Sequence, residues 1–261
     1  MDAAERDLLA ETLRKTMTAA SGQALDAALT DLGWAELLAE QPDIAVPLAF
    51  RLLGETGAHA PLLNDVLLSA AGRPVGGTLP LPFTGGTWIV WERDDAAAGT
   101  TLDTELPLRS VADGAPVPLT AGRVALGWWL LGTGRAMLTL ARRHAVDRVQ
   151  FGRPLGSFQA VRHRLAETLV ALDGAEATLV AASDELGALL AKAAAGQAAL
   201  TASRHCQQVL GGIGFTAEHD LHRHVRRAVV LDGLLGSARE LTREAGALLR
   251  AGGSAPRLVH L

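Results

Sequence analysis

Helical periodicity runs almost unbroken from Pro118 to about Arg250, and a chain that carries so much of it has few ways to fold. Long apolar stretches surround Trp128-Trp129-Leu130-Leu131 and extend from Leu165 to Leu190. Loops are marked by Gly152-Arg153-Pro154 and by Gly211-Gly212-Ile213-Gly214, residue types that interrupt helices. The spacing predicts four or five long helices packed as a bundle. Upstream, Leu8, Leu9 and Leu13, then Leu25, Ala28, Leu29 and Leu32, then Val46, Leu48, Leu52 and Leu53 recur at amphipathic helical spacing. Between Arg73 and Pro118 the texture changes to Pro, Gly and Thr around Thr87-Trp88-Ile89-Val90-Trp91, bounded by Gly85-Gly86 and Asp94-Asp95, which predicts a few short strands. The expected fold class is mainly α. Its expected parts are an N-terminal helical domain at 1–72, a small β middle region at 73–118, a C-terminal helical bundle at 119–251 and a flexible tail at 252–261.

With 261 residues, 49% of them hydrophobic, the chain can bury a sizeable core in one or two units. A formal net charge of −4, with Lys and Arg spread along the sequence, argues against a general nucleic-acid binder. Cys206 is the single cysteine, so no intramolecular disulfide and no cysteine pair for a metal are expected; it reads as a small packed residue. The start Met1-Asp2-Ala3-Ala4-Glu5-Arg6-Asp7 is too acidic for a secretory signal, and Gly, Arg or Asp interrupts the apolar runs elsewhere. No transmembrane segment and a cytoplasmic location are therefore expected.

Two motifs carry chemistry. In RVQFGRPLGSFQAVRHRLAE, Arg148 to Glu167, a turn joins two long helices with Arg148 and Arg153 on either side of Phe151-Gly152. Guanidinium groups suit phosphate, and Gln150 and Gln159 add neutral donors and acceptors. The same segment also reads as a plain turn with solvated arginines. In the second motif, Gln208 to Thr216, three glycines fall within four residues after a helix. They either expose backbone amides to a pyrophosphate or end the helix in an ordinary turn.

Together, in this order and separation, and with the continuation from Glu218-His219-Asp220 to Arg226-Arg227-Ala228, the motifs resemble the acyl-CoA dehydrogenase family over roughly residues 119 to 250. Asp31 to Leu38 resembles its first domain loosely. The resemblance implies a C-terminal four-helix bundle that binds FAD at a subunit interface, where the neighbouring subunit holds the adenosine-diphosphate half. It assigns that half to Arg148, Gln159, Gln208, Val209, Leu210, Gly211 and Gly212; by residue chemistry, Gln150 is added as a polar cofactor contact and Phe151 as a residue packing on an apolar part of the cofactor.

The family's reaction removes an α-proton of an acyl-CoA with a carboxylate while a hydride leaves the β-carbon for the flavin. At the two positions where members carry that glutamate, this chain has Leu235 and Gly122. No catalytic residue is assigned. Asp232, before Gly233, is a candidate for a displaced base, or a capping aspartate; Arg123 is a candidate for substrate phosphate, or a structural arginine. The middle region is short beside the family's β domain, and its flavin-covering motifs are not found; Trp88 and Trp91 are remnants of it or core residues. His205, His219, His222 and His224 read as helix surface and no metal is expected.

The resulting expectation is a subunit of a heteromeric FAD-dependent acyl-CoA dehydrogenase, with steroid side-chain CoA thioesters as the substrate expected from the resemblance. It would be inactive alone and would complete the FAD site of a full-length homologue in a heterodimer or α2β2 assembly, with the acyl-CoA bound mainly by the partner. The alternatives are an active homodimer using Asp232, or a non-enzymatic scaffold that binds no flavin.

Overall fold

The computed structural model describes residues 1–94 and 102–253. Five helices open the chain: α1 (Ala3–Ala19), α2 (Gly22–Asp31), α3 (Trp34–Glu40), α4 (Pro42–Thr56) and α5 (Leu62–Ala70). Asp2 and Glu5 close a reciprocal capping box on α1, which satisfies two backbone amides at its start. The periodic residues Leu13, Leu25, Leu29, Val46, Leu52 and Leu53 are buried as the spacing requires. Leu8 and Leu32 are not. Leu8 lies on α1 above the turns that reach the core at Leu13 and Met17, and Leu32 is the C-cap of α2, where the helical stripe has ended.

Strands β1 (Pro80–Phe83), β2 (Thr87–Trp91) and β3 (Leu108–Val111) form one antiparallel sheet in that order. Asp95, part of the turn expected after β2, lies outside the described residues. The C-terminal half is α6 (Thr120–Asp147), a two-residue ladder of β4 (Val149–Gln150) and β5 (Arg153–Pro154), then α7 (Gln159–Ala181), α8 (Glu185–Leu210), α9 (Leu221–Gly233) and α10 (Ala238–Gly252). The chain is mainly α. Gly253, at φ 68°, ends α10, so helix reaches into the segment expected as tail, and the rest of that segment lies outside the described residues.

Helix α6 organises the core. It has the length and apolarity of a membrane span, but 72% of its most apolar window is buried inside the protein. Against α4 the two backbones touch: a Cβ on Gly54 would strike the carbonyl of Trp129 and the amide of Thr133, and one on Gly132 would strike the carbonyl of Arg51. Trp129 is stacked on Trp91 at 5.4 Å and meets Phe50 edge-on at 5.8 Å. Trp91 is thus a core residue that anchors the sheet, and Asn64 Nδ2 donates to its carbonyl at 2.9 Å.

Candidate functional site

The segment between α9 and α10 is closed. Leu235 sits at φ 54°, a left-handed conformation that costs a branched side chain free energy. Several contacts hold it there: its amide donates to Pro82 O at 2.8 Å, Leu234 bridges Phe83, and Arg123 Nε donates to its carbonyl at 3.3 Å. Its side chain points at α6, where a Cβ built on Gly122 would lie 2.8 Å from Leu235 Cδ1 and 2.6 Å from Leu67 Cδ2. The two positions at which a base was sought therefore face each other, and leucine side chains occupy the space between them.

Neither polar candidate opens onto that space. Arg123 is buried, and its two Nη atoms donate to Glu244 at 3.1 and 3.2 Å, so all three of its donor groups are spent within the chain. These contacts tie α6 to the α9–α10 loop and to α10. Asp232 Oδ1 accepts from Ala238 N at 3.1 Å and presses on Gly196 of α8, where a side chain would clash with it. Burial raises its pKa, and its Oδ1 caps the start of α10.

Sequence reasoning missed two groups of this loop. Lys192 of α8 is wholly buried, donates to the carbonyls of Asp232 at 3.0 Å and Gly236 at 2.6 Å, and is pushed down to about 7 by burial. Its place on the stripe shared with Leu189 and Ala195 was the available signal. Glu240 accepts from Gly85 N at 3.0 Å, Ser237 N at 2.8 Å and Thr84 Oγ1 at 2.8 Å, which lowers it to about 2. It ties the β1–β2 turn to the start of α10.

The other motif region is open. Arg148, Gln159, Gln208 and Gly212 are exposed, Gln150 and Gly211 are half-buried, and Val209 and Leu210 are buried. Phe151 is 90% exposed and sits at φ 55°, a second strained non-glycine residue. It meets Phe158 edge-on at 6.1 Å, with Arg153 stacked 4.2 Å over the Phe158 ring. After α8, Gly211 takes φ 65° and ψ −141°, a region essentially closed to residues with a side chain. At Gly214 a Cβ would lie 2.8 Å from that of Leu210. Packing of α7 on α8 brings the two motifs to one end of the bundle, where Ala160, Val161, Arg164, Arg204, His205 and Gln208 line a cavity of about 550 Å³. The histidines are separately engaged: His205 with Thr168, His219 with Leu221 N, His222 with His219 O, and His224 beside Gly57.

Residues 115–245 match the acyl-CoA dehydrogenase C-terminal domain, half of the chain. The chain belongs to the acyl-CoA dehydrogenase family. It is 36% identical over 204 residues to acyl-CoA dehydrogenase FadE34 of Mycobacterium tuberculosis, covering 69% of this chain and 29% of that protein. The chain thus spans less than a third of this relative's length. Among solved structures, the Tcur3481-Tcur3483 steroid ACAD superposes with a TM-score of 0.76 at 19% identity, covering 97% of this chain and 99% of that one. The ChsE4-ChsE5 complex of Mycobacterium tuberculosis gives 0.75 at 17%, covering 98% and 99%. At that identity the two structures speak for the fold.

Acyl-CoA dehydrogenases use FAD, and the open end of this member suits part of that cofactor. Arg148, Gln159 and Gln208 form an exposed set of cationic and amide donors, and the strained Gly211 turn leaves backbone there accessible. At the closed end the side chains of Leu67 and Leu235 stand against Gly122, and Phe83 stands against Gly233. A Cβ on Gly233 would lie 2.5 Å from the Phe83 ring.

Proposed function

We propose that this chain is the non-catalytic subunit of a heteromeric acyl-CoA dehydrogenase and that it contributes the adenosine-diphosphate half of a FAD site completed by a full-length homologue. The observation that carries the reading is the contact between Leu235 and Gly122, the two base positions, with leucine side chains and no carboxylate between them. Removal of a proton next to a thioester carbonyl needs a base within reach and of suitable pKa.

When bound, the flavin would supply the hydride acceptor. This chain's residues would serve its other end: Arg148 would neutralise phosphate, Gln159 and Gln208 would hydrogen-bond polar edges, Gly211 and Gly212 would offer backbone amides, and Phe151 would cover an apolar portion. A steroid side-chain thioester is the proposed substrate class, from the steroid ACAD superposed above. The proposed setting is cytoplasmic, in a heterodimer or α2β2 assembly. In this reading the chain shows no dehydrogenase activity alone, and a full-length homologue gains activity on adding it; full activity of this chain by itself would overturn it. Asp232→Asn tests the homodimer alternative directly, and unchanged turnover would remove that carboxylate as base.

A further inference from the structure

Helix α6 carries a second apolar surface about a third of a turn around its axis from Gly122, where Ala121, Val124 and Trp128 face α4 and the end of α7. Two cavities meet over Trp128. One, of about 580 Å³, lies against Val46 and Pro47 of α4, Val124 and Trp128 of α6 and Leu179 of α7. The other, of about 270 Å³, continues past Pro47 and Trp128 to Leu48 and to Arg6 of α1. Asp43, Pro47 and Trp128 line both, so the two form one trough. Its size is that of a small-molecule site.

Two polar groups in this trough lack partners. Trp128 is 7% exposed, and its indole N–H makes no hydrogen bond among the described residues. The unpaired N–H groups of Trp91 and Trp129 are sealed in the core, whereas that of Trp128 is not sealed, and the surface that Trp128 presents is the trough. On the opposite wall Pro47 lies inside α4 and has no N–H to donate to the Asp43 carbonyl one turn earlier, which frees an acceptor beside the trough. A donor or acceptor shut away unpaired is costly, so a ligand that pairs with these groups gains more than apolar contact alone gives. At the α1 end the charges balance: Arg6 and Arg51 stand with Asp7 and Asp43, and Arg51 Nε already lies 3.4 Å from Glu55. That balance favours a neutral ligand, because an ion would be desolvated without a surplus of opposite charge to meet it.

We propose that this trough binds a neutral, flat, mostly apolar molecule carrying a carbonyl or hydroxyl oxygen, with its rings on Trp128, Pro47 and Leu179 and its oxygen accepting from Trp128 Nε1. A hydroxyl would also donate to the Asp43 carbonyl. The proposal is independent of the half-site reading, since no residue of the trough belongs to either motif or to the Leu235 loop.

The probe is prodan, a naphthyl ketone whose emission shifts with polarity, and 2-(dimethylamino)naphthalene is its counterpart without the ketone. Fluorescence titration of the full chain, and of its complex with a full-length homologue, should show saturable binding of the ketone, tighter than that of its counterpart. Trp128→Phe keeps an aromatic ring and removes the N–H; it should weaken the ketone roughly threefold to tenfold and leave the counterpart within about twofold. Equal affinity for both probes in the native chain, equal loss of both in Trp128→Phe, or binding that does not saturate overturns the proposal. Should Trp128→Phe lose its native circular dichroism, Ala121→Trp decides: it fills the trough and should abolish binding of both probes, and native affinity in that variant overturns the proposal. Displacement of the ketone on adding the homologue also overturns it, because the trough is then a protein interface.

Discussion

Among the described residues, the loop around Leu235 and the rim around Phe151 are the two places where a non-glycine residue is forced into left-handed backbone, and they differ in what surrounds the strain. At Leu235 the surroundings come from the same chain: Arg123, Lys192 and Pro82 engage the loop's backbone, and leucines fill the space in front of it. At Phe151 the ring stands in solvent against Phe158, over which Arg153 stacks, and Arg153 makes no ion pair among the described residues. Strain satisfied from within is structural, whereas strain facing outward points to a ligand or a second chain.

That difference can be broken from either side. The largest effect belongs to the closed loop: Leu235→Ala should cost about 2–5 kcal/mol in urea unfolding, because it empties a packed site. A cost under about 0.5 kcal/mol, the level of a surface substitution, would mean that the loop is not closed in solution. Next, Arg123→Met should cost about 1.5–3 kcal/mol, since it strands the Leu235 carbonyl and leaves Glu244 unpaired. Arg148→Gln should leave unfolding unchanged and weaken flavin retention by the complex about tenfold, read as FAD released on dilution. Smallest is Phe151→Gly, which relieves left-handed strain and should leave stability level or raise it by up to about 1 kcal/mol, while impairing flavin retention.

Lys192 sharpens the same contrast through pH. Burial depresses its pKa from 10.5 to about 7, so between those values the unfolded chain binds the extra proton and stability rises with pH. The contribution is complete above the unfolded pKa and is lost as pH falls through the folded one. Unfolding free energy should climb between about pH 7 and pH 10 in the native protein, and Lys192→Met should flatten the climb; parallel curves for the two would remove this titration from the account.

The helical frame and the middle sheet were legible because periods of 3.6 and 2 are local properties of sequence. The open rim was legible as a motif for a related reason: its glycines and arginines are consecutive in the chain. What stayed hidden depends on approach across the chain. Nothing near Gly122 announces Leu235, over a hundred residues away, and nothing near Arg123 announces Glu244. Leu8 and Leu32 fit the helical stripe and still lie outside the core, since a period sets a face and not what covers it. Arg164 and Arg204 sit among ordinary helix-surface residues, and only the packing of α7 on α8 brings them to one groove.

The most direct test is a flavin count, by absorbance, on this chain purified alone and on the same chain co-purified with a full-length acyl-CoA dehydrogenase homologue. No flavin in the chain alone and one FAD per pair of subunits in the complex is the expected result. One FAD per chain in the isolated protein, or a homologue that loads FAD fully without this chain, would contradict the half-site role.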